Sequence, residues 1–418
     1  MKGHIRKRAK GSWTLVIDLG KDPETGKRKQ HWHTIKGTKR EAERALREMI
    51  VALDKGVYVK PSRLTLGEWL GQWYRSYVMM HTTPRTQESY WSIISHHLIP
   101  ALGTIPLVQL QPQQLQNYYA IALSQGRADG RGGLSPRSVL YHHRIVTEAL
   151  SHAVKMGLAA RNVAEIVDPP RVTRVKLNIL APGDVTRFLD AARETPYYVF
   201  YCLLLYTGLR RGEALALRWR TVDLLGAELQ VMETAFKLGN GTYVIKEPKT
   251  PHSCRSVSLP PSLAVLLRQY RADQEVLRAK MAKTLTEEDL VFTYQDGSPL
   301  DPNAVTRTFA RLVRKAGFPH IRLHDLRHTH ATFMLKAGVH PKIVSERLGH
   351  ASISITLDTY SHVLPGLQEA AAQRFDALLE KEVAESGERT DVSKMLAILP
   401  QNESERCGTR THDTLIKS

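Results

Sequence analysis

The stretch HDLRHTHATFMLKAGVHPKIVSERLGHASISITLDTYSHV, His324–Val363, decides how the chain is read. His324 and Asp325 precede a helical run that Gly338 closes. Pro341 suits the first turn of a second helix and Gly349 its end, so His350 falls on the next turn. A short element follows and carries Tyr360. His324 and Arg327 therefore sit at or near a helix start, where backbone N–H groups and the dipole favour an anion. An arginine there offers a planar charged fork to phosphate oxygens. The same letters contain H-x-x-x-H, His324 and His328, a spacing that resembles a zinc protease motif with Asp for Glu. The short carboxylate, the arginine beside the would-be cation and the missing third ligand argue against a metal.

Two upstream clusters extend the pattern. In LLLYTGLRRGEALALRW, Leu203–Trp219, an apolar helix stops at Thr207-Gly208 and another starts near Arg210, Arg211 and Glu213. Arg210 can hold phosphate there, and Glu213, one turn on, can orient a guanidinium. A purely structural Arg–Glu pair fits the same letters. In VIKEPKTPHSCRSVSLP, Val244–Pro260, strand-like runs flank a loop that carries Lys249. A lysine on such a loop can swing toward a leaving oxygen, although taken alone it reads as an ordinary solvated side chain.

Composition narrows the partner. The chain has 418 residues and a formal net charge of +18. That length calls for two or three domains, and that charge for a polyanion, nucleic acid or an acidic membrane surface. Residues 1–60 hold 16 basic and 7 acidic side chains, half of the whole excess. The cysteines, Cys202, Cys254 and Cys407, are odd in number and scattered, which points to a reducing cytosol and no disulfide framework. The N-terminus lacks an apolar signal core, and YYVFYCLLLY, Tyr197–Tyr206, is too short to span a bilayer. A cytoplasmic protein without a membrane partner is expected.

Along the chain, residues 1–60 read as strand, turn, strand, helix, a small basic sheet able to enter a DNA groove. Residues 64–170 read as helices, opened by Thr65 and Glu68 at capping-box spacing and interrupted by the loop GRADGRGGL. DPPRVTRVKLN, Asp168–Asn178, reads as a solvated linker. Residues 179–380 are mostly helical with a strand-like island near Leu229–Leu259, and 383–418 read as a tail with little structure. The fold class is mainly α with small β elements in several domains.

Together TGLRRGE, PKTPHSCRSV, HDLRHTHAT, LGHASISIT and LDTYSHV, in this order, resemble the tyrosine recombinase family, specifically phage-type, lambda-like integrases. The resemblance implies a ββ(β)α arm-type DNA-binding domain at 1–60, its third strand optional, a helical SAM-like core-binding domain at 64–170 and a mixed α/β catalytic domain at 179–380, the last two clamped around duplex DNA. It implies Arg210, Lys249, His324, Arg327 and His350 as catalytic residues and Tyr360 as nucleophile, with Glu213 in support. Lys246 stays open as a rival to Lys249, and Arg211 to Arg210.

In that chemistry Arg210 and Arg327 bind the non-bridging oxygens. His324 and His350 add hydrogen bonds, and one of them, His324 first, helps remove the proton from Tyr360. Tyr360 forms a covalent 3′-phosphotyrosine, and Lys249 protonates the 5′ oxygen that leaves. No cofactor and no metal is required. The implied partners are double-stranded attachment sites, three further copies of the chain in a tetramer on DNA, a DNA-bending host factor and an excisionase, within a bacterial nucleoid. The helical run GLQEAAAQRFDALLEKEV either packs on a neighbouring subunit, as the family implies, or on its own domain. The function implied is integration and excision of a phage or other mobile element. Alternatives are resolution of chromosome dimers, as in Xer-like recombinases, and DNA binding by an inactive catalytic domain.

Overall fold

The computed structural model describes residues 2–21, 26, 28–54, 63–173, 177–247, 254–360, 372–373, 375–377 and 379. Its contacts divide the chain into two compact units, Met1–Lys176 with Phe236–Val244, and Leu177–Ala235 with Ile245–Ser418.

The first unit opens with an antiparallel sheet in the order β1 (Lys2–Ala9), β2 (Ser12–Lys21), β3 (Arg28–Lys36). Sequence pattern predicts two strands here with a third left optional, and the structure supplies that third strand as β1. That strand escapes apolar counting because Ile5 is its one large aliphatic side chain. Leu15 and Ile17 of β2 alternate onto one face and pack with Ala42 and Leu46 of helix α1 (Lys39–Asp54). Arg6, Arg8, Trp32 and Thr34 occupy the other face. There Arg6 stacks over Trp32, 5.8 Å from the ring centre, and Trp32 stays 54% exposed.

The helical part of this unit begins at α2 (Leu66–Trp73), where Thr65 and Glu68 cap each other as their spacing predicts. Proline occupies the first turn of α3 (Pro84–Ile93), α4 (Pro112–Gln125) and α5 (Pro136–Lys155), where its missing N–H costs nothing. Leu66, Trp69, Trp73, Leu98, Leu115 and Leu150 meet in one core. The Trp69 indole donates to the Ala149 carbonyl at 2.9 Å, so even this large core ring has its polar atom satisfied.

The second unit is built around α7 (Tyr198–Thr207), which packs against α6 (Pro182–Arg193) and α9 (Pro261–Lys280). Phe200, Tyr201, Cys202, Leu203, Leu204 and Leu205 are all buried, because α7 is covered on every side. Phe309 of α10 (Pro302–Lys315) meets Phe188 at a tilt and Tyr201 edge-on, with ring centres 5.6 Å and 5.5 Å apart. The strand-like island becomes an antiparallel sheet of β4 (Val222–Asp223), β5 (Glu228–Val231) and β8 (Arg255–Ser258), and a separate two-stranded sheet of β6 (Thr234–Lys237) and β7 (Tyr243–Lys246), whose Phe236–Val244 are counted with the first unit. Among the described residues no helix is long and apolar enough to cross a membrane.

The last elements carry the site. Helix α8 (Arg211–Leu215) follows α7 after a left-handed turn at Gly208, φ +68°. Helix α11 (Asp325–Lys336) packs on α7 and on α12 (Pro341–Leu348), which ends at Gly349, φ +66°. Glycine suits both turns because a Cβ strains this conformation. Helix α13 (Ile353–Tyr360) packs back on α12.

Candidate active site

Arg210 stands at the N-cap of α8, and its Nη1 donates to Glu213 Oε1 at 2.7 Å. Glu213, 6% exposed, also accepts the Arg210 backbone N–H at 2.9 Å and Arg255 Nη2 at 2.8 Å. Burial alone would raise the Glu213 pKa. The Arg255 hydrogen bond and the charges of Arg255 and Arg210 outweigh it and hold the group below the usual carboxylate value. The adjacent Arg211 turns to α10 instead, donating to Pro302 O and Thr306 Oγ1.

Three consecutive carbonyls at the end of α12 each capture one guanidinium. Arg255 Nε donates to Arg347 O at 2.7 Å, Arg327 Nη2 to Leu348 O at 2.7 Å and Arg210 Nη2 to Gly349 O at 3.1 Å. The carbonyls of a helix C-terminus lack intrahelical partners and carry partial negative charge, so cations are stabilised there. Arg327, 3% exposed, also donates to Gly208 O at 2.8 Å. Burial first, then the facing Arg210, lower its pKa to about 9, which leaves it cationic at neutral pH.

His324 occupies the N-cap of α11, edge-on to His328 with ring centres 5.0 Å apart. Crowding by the pocket wall, then His328 and Arg327, push its pKa below the ordinary histidine value, although its outer edge is exposed. His350 follows the Gly349 turn, with Nδ1 2.8 Å from Thr356 Oγ1. Burial and then Arg327 and Arg210 lower its pKa to about 4, so the ring is neutral at pH 7.

Tyr360 closes α13 and is 1% exposed, packed with Ala331, Leu335, Val344 and Leu348. Burial raises its pKa to about 12, against the lowering charge of Arg327, so the phenol keeps its proton at neutral pH. The hydroxyl lies 2.8 Å from Nδ1 of His328, whose own pKa burial lowers. A neutral imidazole facing a protonated phenol makes Nδ1 the acceptor and Nε2 the protonated nitrogen. Sequence reasoning met His328 only as part of H-x-x-x-H and missed this role. It missed Arg255 as well, for which the arginine in PKTPHSCRSV was the available signal.

Arg210, His324, Arg327, His328, His350 and Tyr360 line one cavity of about 420 Å³. A larger cavity, about 640 Å³ near Tyr270 and Phe292, holds none of them. Lys249 lies outside the described residues, as do the tail from 380 and most of GLQEAAAQRFDALLEKEV. Among the described residues no three His, Cys, Asp or Glu side chains group as a metal site.

Comparison with known proteins gives this constellation its context. Residues 178–366 match the model of the phage integrase family, 65–121 that of the phage integrase N-terminal SAM-like domain, and 4–53 that of the arm DNA-binding domain. The chain belongs to the phage integrase family. It is a tyrosine recombinase, an enzyme of site-specific DNA cleavage and rejoining. The recombinase is 28% identical to a "Tyrosine recombinase XerC-like" of Caldanaerobacter subterraneus subsp. tengcongensis over 90% of its own length and 99% of that protein's. It is 26% identical to the ICEBs1 integrase of Bacillus subtilis over 90% and 100% of the two chains. In fold it is similar to the Tn1549 transposon integrase in complex with a circular intermediate DNA, with TM-score 0.61, 21% identity and coverage of 75% and 99%. It is also similar to lambda integrase in a tetramer bound to a Holliday junction, with TM-score 0.52, 18% identity and coverage of 83% and 95%.

Proposed function

We propose that this recombinase is the integrase of a phage or other mobile element, and that Tyr360 is its nucleophile on duplex attachment sites. The observation that carries the reading is a tyrosine hydroxyl sharing one cavity with Arg210, Arg327, His324 and His350. Each guanidinium has five N–H donors, and the α12 turn and Glu213 occupy only some of them. The others bind the non-bridging oxygens of the scissile phosphate and offset the charge added in the pentacoordinate transition state. Tyr360 Oη attacks phosphorus, the bond to the 5′ oxygen breaks, and Lys249 gives that oxygen a proton. A 5′ hydroxyl from another strand reverses the step, so the phosphodiester energy is conserved without cofactor or metal.

Residues 1–60 serve as the arm-binding domain in this reading. The match to an arm DNA-binding model supports it, as does the sheet face of Arg6, Arg8, Trp32 and Thr34. Residues 64–170 bind the core site, 179–380 carry the chemistry, and 383–418 form a tail. The working assembly is a tetramer on DNA, aided by a DNA-bending host protein and an excisionase, in the bacterial cytoplasm. The tetramer of lambda integrase supports the first of these. The XerC-like relative supports a second reading, resolution of chromosome dimers.

The test is a nicked suicide substrate of candidate attachment DNA, incubated with EDTA and resolved on a denaturing gel. Wild type forms a protein–DNA adduct, and Tyr360→Phe binds the DNA but forms none. An adduct in Tyr360→Phe would move the nucleophile elsewhere.

A further inference from the structure

We infer that His328 holds Tyr360 in place for attack and is the group that takes its proton. This rests on the reading of Tyr360 as nucleophile and deepens it. The motif residues at 324 and 350 are the obvious candidates for that proton, but the tyrosine hydroxyl is bonded to neither. It bonds His328 Nδ1 at 2.8 Å, and the two ring centres lie 5.8 Å apart. The tyrosine ring is packed among Ala331, Leu335, Val344 and Leu348, so its hydroxyl has a fixed position. His350 Nδ1 is already engaged by Thr356. His324 meets His328 edge-on, with ring centres 5.0 Å apart.

A tyrosine–histidine hydrogen bond alone is not evidence of catalysis. Among the described residues of the first unit are two others, Tyr118 with His142 at 2.8 Å and Tyr119 with His143 at 2.9 Å. The pair at Tyr360 differs in its surroundings. It lines the same cavity as Arg210 and Arg327, the two guanidiniums that draw a phosphate in. An oxygen approaching phosphorus there must shed its proton along the hydrogen bond it already makes. As the Oη–P bond forms, the proton passes from Oη to Nδ1, and the imidazole, protonated at Nε2, becomes imidazolium. The P–O5′ bond breaks and that oxygen gains its proton from the general acid. In rejoining, the 5′ hydroxyl returns its proton to the general acid as its oxygen attacks phosphorus, the P–Oη bond breaks, and His328 returns the proton to the tyrosine.

The experiment uses the full-length protein on the suicide substrate, measuring single-turnover adduct formation and, separately, DNA affinity. His328→Ala removes the acceptor, whereas His328→Asn puts an oxygen near the Nδ1 position that can hold the hydroxyl but not accept its proton. Both variants should form adduct about 100-fold or more slowly, with DNA affinity close to wild type. Added imidazole should restore the Ala variant about tenfold or more and leave the Asn variant unchanged. The near-isosteric Asn variant keeps the test meaningful if the Ala variant folds poorly. Either variant reacting at the wild-type rate, or a folded Ala variant deaf to imidazole, would overturn the assignment. Tyr360→Phe runs alongside. An adduct that survives in it fails the nucleophile reading itself, whereas its loss there with normal His328 variants fails only the present inference.

Discussion

Glu213 makes the sharpest demand on the reasoning, because one carboxylate is wedged between two guanidiniums. Glu213→Gln keeps the shape, removes the charge and points an N–H2 donor at donors. Breaking a buried ion pair costs about 3–5 kcal/mol, since the surviving charge is left without a partner. Arg210 keeps 41% of its side chain exposed, so water screens its half of the loss. Arg255 is 7% exposed and has no such relief, so the expected cost is near the lower end, about 3 kcal/mol. For a unit of this size that lowers the melting temperature by about 6–12 °C. The variant should also form adduct more slowly, because Arg210 loses the group that aims it. The pH dependence has a definite sign. Glu213 has its pKa held below the unfolded value, so its contribution is full above the ordinary glutamate range and fades as pH falls through the folded pKa. The gap between wild type and variant should therefore be widest at neutral pH and close below about pH 4. Calorimetry at pH 7 and at acid pH measures this. A variant melting within about 2 °C of wild type at pH 7, with an unchanged adduct rate, would refute the argument.

Two further outcomes concern glycine and acid. A Cβ on Gly208 would lie 2.7 Å from both His330 Cδ2 and Leu348 Cδ2, on a backbone with φ +68°. Gly208→Ala should lose about 2–5 kcal/mol in urea unfolding, from left-handed strain plus overpacking, and wild-type stability would show that the turn is not as tight as described. His142 is 3% exposed, and burial, then His97, lower its pKa to about 4. A depressed histidine contributes fully above its unfolded pKa and loses that contribution as pH falls. Wild type should lose about 2 kcal/mol more than His142→Gln between pH 7 and 4.5, and equal losses would remove this histidine as the cause.

Much of the site is legible in the letters because its parts are placed by local rules. Gly208 and Gly349 end helices in the left-handed turn that glycine favours, and Pro341 opens α12. Arg210, His324 and His350 then fall at helix edges, and the capping pair Thr65–Glu68 forms as its spacing predicts. The choice between Arg210 and Arg211 is not local. Both are arginines at one helix start, and only the packing of α10 against α8 takes Arg211 away from the cavity.

The sequence by itself determined the family, the helix ends and the residue types that stand at them. Those depend on residue types a few positions apart, where propensity and capping act. Tertiary structure alone decided what touches what. Arg255 reaches Glu213 across 42 residues and His328 reaches Tyr360 across 32. Three arginines share three successive carbonyls only because α8, α11 and β8 converge on the end of α12. Such pairings follow from burying apolar faces in one core, a property of the whole unit that no short window of sequence contains.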